Sequence, residues 1–305
     1  MKTIANLADE YILYLESLNY SKVTIRNVRL DLSLFLKHLE CLGALTAPDL
    51  RKAHIFSWQE HIPLRKNGRG VPVGAETVNQ KIGRTKGFLK FLALKGHVLA
   101  SLDVLRRVKS PRTLPGNILP HAKIRKMFSS MDTSRTDSYR DRTILELLYS
   151  SAIRAGEAIS LDISAIDFPG AVVKVYGKGR KERMVPVGIT AMRFLETYVR
   201  AVRPFMVNGR SGTALFLGRS GDRLGYCGLK KIVRKHCGKT GDAWVTPHTF
   251  RRSCTTELVR EGANIYHVKE LLGHESLSTL RHYTKLTIND LRKTHEKFHP
   301  REKDQ

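Results

Sequence analysis

The stretch AVVKVYGKGRKERMVPV, residues 171–187, stands out in a chain whose other apolar residues mostly recur at helical spacing. Two short runs rich in β-branched residues, 171–176 and 182–187, flank a turn at 177–181 that contains two glycines. This arrangement is typical of a β-hairpin. The sequence therefore predicts a mainly α protein with a small β-hairpin or sheet, which is an α+β fold.

Helical periodicity dominates on both sides of this hairpin. In the first third of the chain it predicts helices from Ile4 to Leu18, from a capping Ser21 onward, through Trp58, and from Thr77 to Leu94. Two more helices, near 122–131 and 139–150, are predicted before the hairpin, and the remainder after it is helical. We expect a helical N-terminal domain over 1–106, a basic, proline-rich linker over 107–119 and a second domain over 120–305.

The charge of the chain is strongly positive. Its 305 residues include 53 Lys and Arg against 28 Asp and Glu, which gives a formal charge of +25. Residues 1–106 carry +7 of this and the remainder +18. Such an excess favours a polyanionic partner, and nucleic acid is the first candidate. No apolar run approaches the roughly 20 residues that span a bilayer, and no signal peptide is evident. We expect a cytoplasmic protein with no membrane partner.

Several basic side chains are candidates for contacts with phosphate groups. A glycine-broken basic loop lies at 65–70, and the helix predicted over Thr77–Leu94 carries Lys81, Arg84, Lys86 and Lys90 largely on its outward face. An ordinary solvated surface is the alternative interpretation. The candidates for DNA binding are Arg26, Arg29, Arg65, Lys66, Arg69, Lys86, Arg180 and Lys181.

Two pairs of residues have a spacing that suits chemistry on a phosphate. His248 and Arg251 follow Pro247 at a predicted helix start and share one helix face, so both can point at one ligand. Taken alone, the H-x-x-R spacing is a weak signal, and an ordinary basic helix start explains this pair better. Arg154 and Glu157 are also three residues apart. They are either a weak surface ion pair or an arginine held ready by a carboxylate.

Three further residues indicate a function only through their order in the chain. Lys178 lies at the tip of the hairpin turn, His274 follows a predicted helix stop at Gly273, and Tyr283 comes nine residues later. Taken singly, they are an ordinary turn lysine, a surface histidine and a packed tyrosine.

The ordered set resembles the tyrosine recombinase family, and most closely its Xer-type resolvases and mobile-element integrases. The matching stretches are IRAGEA (153–158), GKGRKER (177–183), HTFRR (248–252), LLGH (271–274) and YT (283–284). The segment from Ser21 to Leu39 also looks like the family's N-terminal DNA-clamping domain. The chain departs from the family pattern in Ser151-Ala152, where Thr-Gly is usual, in Ala155, and in the loop at 65–70, which resembles an insertion.

The resemblance implies a reaction on duplex DNA. Tyr283 would be the nucleophile that forms a 3′-phosphotyrosine, and Arg154 and Arg251 would neutralise the phosphate. His248 would be the acid or base, Lys178 would protonate the departing 5′ oxygen, and His274 would hydrogen-bond the phosphate. Glu157 would orient Arg154. No cofactor, metal or ATP is implied.

The resemblance also implies the partners: double-stranded DNA and four protomers on two sites, either alone or with a sister recombinase. Three alternatives remain at this point. They are a topoisomerase of type IB that only relaxes DNA, a non-catalytic DNA-binding regulator and a general basic nucleic-acid-binding protein. The retained tyrosine and arginines argue against the regulator. The target sequence, and the choice among integration, excision and resolution, cannot be read from these residues.

Overall fold

The computed structural model describes residues 2–66, 68, 70–99, 104–109, 118–177 and 182–273. Its contacts divide the chain into two compact units, residues 1–113 and 114–305, and each is described by itself. The expected fold class, mainly α with a small sheet, is confirmed. Within the described residues, no helix is long and apolar enough to cross a membrane.

The described residues of the first unit form four long helices. They are α1 (Ile4–Ser17), α2 (Lys22–Cys41), α3 (Lys52–Leu64) and α4 (Ala75–Leu94). The Ser21 side chain accepts a hydrogen bond from the backbone N–H of Thr24, so it caps α2 as its sequence position predicts. Phe35, Trp58 and Phe88 are fully buried in the core of this unit. The indole N–H of Trp58 donates to the Thr85 hydroxyl at 3.1 Å, which leaves no polar atom of that ring unpaired.

An ion-paired cluster joins α2 to α4. The Asp31 carboxylate is buried, and it accepts hydrogen bonds from Lys81 and Arg84. The prediction that these two basic side chains point largely outward was therefore wrong. Helical spacing places them on the polar side of the apolar stripe, but the unpaired charge of buried Asp31 would be costly without them.

Residues 104–109 remain attached to the first unit. Leu105 is buried against its core, and Val108 exchanges two hydrogen bonds with the Asn79 side chain, at 2.9 and 3.0 Å. The first residues of the predicted linker are thus held against this unit. Linker residues 110–117 lie outside the described residues, whereas Leu119, at the other end of the linker, is buried in the core of the second unit.

The second unit combines seven helices with a three-stranded antiparallel sheet in the described residues. The helices are α5 (His121–Ser129), α6 (Thr136–Ser151), α7 (Ala155–Ser160), α8 (Ile189–Thr197), α9 (Tyr226–Gly238), α10 (Pro247–Arg260) and α11 (Ile265–Leu272). The strands are β1 (Ile166–Asp167), β2 (Val172–Tyr176) and β3 (Glu182–Pro186), in the order β1-β2-β3. The predicted hairpin is confirmed, with Val173 opposite Val185. Strand β1 has two residues and was not predicted, because so short a run has no periodicity.

Helix α6 forms the centre of the second unit. Its apolar residues Ile144, Leu145, Leu147 and Leu148 are fully buried, and it packs against α8 and α10. The helix ends at Ser151, and the next residue, Ala152, has a φ of 52°, in the left-handed region that few non-glycine residues adopt. The chain therefore turns sharply, and the next residues, Ile153 and Arg154, lead into α7.

Candidate active site

Arg154 lies at the residue that caps the N-terminus of α7, and its contacts fix both its backbone and its side chain. Its backbone N–H donates to Glu157 Oε2 at 2.7 Å, and its Nη1 donates to Glu157 Oε1 at 2.9 Å. Its Nη2 donates to the carbonyl oxygen of Gly273 at 3.3 Å. The Arg154 side chain retains 36% of its exposure, so a ligand can reach it.

The Glu157 carboxylate is buried and accepts hydrogen bonds from a second arginine, Arg183 on β3. Arg183 Nη1 and Nη2 reach Oε1 and Oε2 at 2.8 and 2.9 Å, in the fork geometry that suits a carboxylate. Burial alone would raise the pKa of Glu157. The hydrogen bonds from Arg183 and Arg154 outweigh that effect and lower its pKa to about 2.

Sequence reasoning missed Arg183, although a signal for it was present. Arg183 lies two residues before Val185 on β3, and Val185 is fully buried. Side chains two residues apart on a strand point to the same face. An arginine on the inward face needs a buried acceptor, but the sequence does not say which carboxylate provides it.

Arg251 is almost completely buried, one turn into α10. Its Nη1 donates to the carbonyl oxygen of Ala152 at 2.6 Å, and its Nη2 donates to that of Leu272 at 2.8 Å. These carbonyls lie at the C-terminal ends of α6 and α11, where the helix dipole favours a cation. His248 lies on the same face of α10, one turn earlier, and is exposed. Helix α10 begins at Pro247, as the sequence predicts.

Three of the predicted site residues in the described chain, Arg154, Glu157 and Arg251, meet around the end of α11. Arg251 binds the Leu272 carbonyl, while Arg154, with its partner Glu157, binds that of Gly273. Gly273 has a φ of 60°, so it ends α11 in the left-handed conformation predicted for it. The Arg183 side chain lies directly against it, because a Cβ at residue 273 would come within 3.0 Å of Arg183 Nε.

Lys178, His274 and Tyr283 lie outside the described residues, so their places in the site stay predictions. The described part already brings two guanidinium groups to one turn. Guanidinium groups suit the non-bridging oxygens of a phosphate, which they can bind in a bidentate manner.

The surroundings of His248 lower the pKa of its imidazole. Desolvation lowers the pKa of His248, and the positive charges of Arg251, Arg252 and Arg154 lower it further. The side chain is therefore neutral at neutral pH, and it can accept a proton there.

The candidates for DNA binding in the first unit are distant in sequence from the residues of the candidate site. Arg26 and Arg29 are exposed on α2, and Arg29 pairs with Asp9 at 3.2 Å. Lys66 is exposed, and its backbone forms an isolated antiparallel β-bridge with Pro72 at the base of the basic loop. Arg65 and Lys86 are partly buried. Arg69, Arg180 and Lys181 lie outside the described residues, and a role in DNA binding stays a prediction for the whole set.

Comparison with known families identifies the second unit. The model of the phage integrase family matches residues 117–289, which is more than half of the chain. The chain belongs to the phage integrase family. The family resemblance inferred from the sequence motifs is therefore confirmed.

Curated members of this family match the chain over nearly its full length. Tyrosine recombinase XerD of Staphylococcus epidermidis is 31% identical over 300 residues, covering 97% of this chain and 99% of that protein. Tyrosine recombinase XerC of Oceanobacillus iheyensis is 32% identical over 303 residues, covering 96% and 95%. The similarity thus includes the helical first unit.

Solved structures share the fold of the chain at lower identity. The integrase of transposon Tn1549, in complex with circular intermediate DNA, superposes with a TM-score of 0.73 at 16% identity, covering 97% of this chain and 100% of that one. A lambda integrase dimer bound to a core site gives a TM-score of 0.67 at 15% identity, covering 92% and 95%.

Proposed function

We propose that this chain is a site-specific DNA recombinase that cuts and rejoins double-stranded DNA through a 3′-phosphotyrosine. The observation that carries the proposal is the placement of Arg154 and Arg251 at one turn, the end of α11, in a chain whose relatives are tyrosine recombinases. Both guanidinium groups are held by protein contacts, so little reorganisation is needed when charge develops on a phosphate.

Each residue of the proposed site has a separate task in the strand cleavage. The Tyr283 phenol oxygen attacks the phosphorus, its bond to phosphorus forms, and the bond from phosphorus to the 5′ oxygen breaks. His248 accepts the phenol proton, while Lys178 gives a proton to the departing 5′ oxygen. Arg154, Arg251 and His274 bind the non-bridging oxygens. The phosphotyrosine keeps the energy of the broken bond, so rejoining needs no ATP.

The lowered pKa of His248 suits the role of a proton acceptor. Arg252→Gln removes one of the charges that lower it, so we expect the pKa of His248 to rise towards its ordinary value. Cleavage that needs the neutral imidazole is lost as the pH falls through that pKa. The acid limb of the cleavage rate should therefore move to higher pH in the variant.

The shift can be measured by NMR titration of the His248 ring, alongside cleavage rates across the acid range. Arg260→Gln is the control, because Arg260 lies on the same helix but pairs with Glu257 at its far end. A His248 pKa that stays constant in Arg252→Gln would contradict the electrostatic account.

The proposed partners are double-stranded DNA and further recombinase protomers. A tetramer on two DNA sites could consist of this chain alone or of this chain with a sister recombinase, since both XerD and XerC proteins are similar to it.

Residues 1–106 would form the DNA-clamping domain, 107–119 the linker and 120–305 the catalytic domain. The basic candidates of the first unit would contact phosphates. The proposed location is the cytoplasm.

The test is a covalent complex between protein and DNA. The full chain is incubated with EDTA on nicked DNA carrying the sequences that flank its gene, and the products are separated on a denaturing gel. We expect an EDTA-resistant adduct at a 3′ phosphate, together with exchange of strands between two intact sites. Specific binding without an adduct would favour a regulator, and relaxation of plasmid DNA without strand exchange would favour a topoisomerase.

A further inference from the structure

We infer that Arg183 is a positioning residue of the active site, which keeps Arg154 available to the phosphate by occupying Glu157. The inference rests on the proposed function, because it concerns how Arg154 is held for that reaction. Arg183 lies on β3, and its two Nη groups bind the Glu157 carboxylate.

The contacts around Glu157 show why a second arginine is needed. Oε1 accepts from Arg154 Nη1 and Arg183 Nη1, and Oε2 accepts from the Arg154 backbone and Arg183 Nη2. A carboxylate offers about four acceptor positions. All four are thus occupied, and the Arg154 guanidinium can make only one bond to Glu157. Its Nη2 is directed to the Gly273 carbonyl instead.

The charges lead to the same conclusion. Arg154 and Glu157 alone would form a neutral pair, in which the carboxylate cancels the positive charge that would attract a phosphate. With Arg183 the cluster of three side chains carries a net charge of +1. Because the Glu157 pKa is lowered to about 2, the carboxylate stays ionised at neutral pH and its charge has to be balanced there.

The surroundings of Arg183 are poorly explained by stability alone. Its Nε is buried and has no hydrogen-bond partner within the part of the chain that the structure describes. An unpaired buried N–H destabilises a fold. The side chain also packs closely on Gly273, since a Cβ there would lie 3.1 Å from Arg183 Cζ. Despite this cost, both of its Nη groups bind Glu157.

Removing Arg183 should redirect Arg154. In Arg183→Gln, one acceptor position opens on each oxygen of Glu157, and the Arg154 guanidinium can turn to bind both. A displacement of about 1 Å is enough to slow a positioned reaction by about 10²-fold. We therefore expect the first-order cleavage rate at saturating DNA to fall about 10²-fold. The affinity for DNA should change little, because the Arg183 side chain is largely buried and both of its Nη groups bind Glu157.

A double variant separates positioning from a merely structural role. If Arg183 acts by balancing Glu157, then Arg183→Gln with Glu157→Gln removes the excess carboxylate charge as well. It should cleave about tenfold faster than Arg183→Gln alone, which is a favourable coupling between neighbouring sites. A double variant that is as slow as or slower than Arg183→Gln would overturn the proposal.

Arg142→Gln is the matched control for the loss of a buried arginine. Arg142 is as buried as Arg183, with 14% against 16% side-chain exposure, and it also binds a carboxylate, that of Glu146. Its other contacts are with Phe128 and Phe194. The folded fraction of Arg142→Gln should cleave at the rate of the unaltered protein, and an equal loss in both variants would overturn the positioning role.

A crystal structure of DNA-free Arg183→Gln provides a readout that does not depend on recombination. We expect Arg154 to bind both oxygens of Glu157 and to leave the Gly273 carbonyl. An Arg154 side chain that stays in place would overturn the inference. If the unaltered protein forms no covalent adduct, the proposed function fails, while this structure still decides whether Arg183 positions Arg154.

Discussion

Tyr283→Phe is expected to abolish the covalent adduct while DNA binding is retained. The substitution removes only the phenol oxygen, which is the atom that would bond to phosphorus. Loss of a catalytic nucleophile lowers turnover by about 10⁶-fold in well-studied enzymes, so the adduct should fall below detection. The affinity for the nicked site should change by less than about tenfold, because one hydroxyl contributes about 1 kcal/mol at most to binding.

The measurement compares adduct formation and DNA affinity in the two proteins on the same nicked site. Tyr266→Phe is the control, since Tyr266 is an exposed tyrosine on α11 in the same unit, and its variant should form adduct normally. Mass spectrometry of the digested adduct should place the nucleotide on the peptide that contains Tyr283. An adduct that persists in Tyr283→Phe would show that another residue is the nucleophile.

The fold could be predicted from the sequence where the signals are local. The two runs rich in β-branched residues, 171–176 and 182–187, around a glycine turn are enough to identify strands β2 and β3. Ser21 and Gly273 likewise mark helix ends through their own side chain or backbone. Each of these signals depends on residues within a few positions of each other, so no knowledge of the tertiary structure is needed.

The pairing of buried charges could not be predicted in the same way. Asp31 binds Lys81 and Arg84 across 50 and 53 residues, and Glu157 binds Arg183 across 26. A charged residue on a buried face signals that a partner exists. Its identity depends on which helices and strands pack together, and that information is distributed over the whole core.

The candidate site illustrates both cases. The pairing of Arg154 with Glu157, within one helical turn, was among the sequence expectations and is present. The shared attachment of Arg154 and Arg251 to the end of α11 was not foreseen, because the carbonyl oxygens of Leu272 and Gly273 belong to the backbone. The residue types at positions 272 and 273 therefore do not indicate that the two arginines bind there.

Arg251→Lys is expected to slow cleavage by about 10²- to 10³-fold, which is the usual cost of removing one preorganised hydrogen-bond donor to a transition state. The planar guanidinium of Arg251 reaches the Ala152 and Leu272 carbonyls with two different nitrogens. A lysine keeps the positive charge but carries it on one compact nitrogen, which cannot hold two carbonyls and a phosphate in the same geometry. First-order cleavage at saturating DNA is the measurement.

Arg203→Lys controls for the structural part of this loss. Arg203 is another buried arginine of the second unit, and it also binds backbone carbonyls, those of Ala214 at 2.7 and 3.0 Å and Gly212 at 3.2 Å. Both lysine variants lose charge-assisted hydrogen bonds, so both should be destabilised by about 2 kcal/mol in urea unfolding. Only Arg251→Lys should slow cleavage by the folded fraction. Equal slowing in both variants would mean that Arg251 supports the fold rather than the reaction, because both arginines are buried and both bind backbone carbonyls.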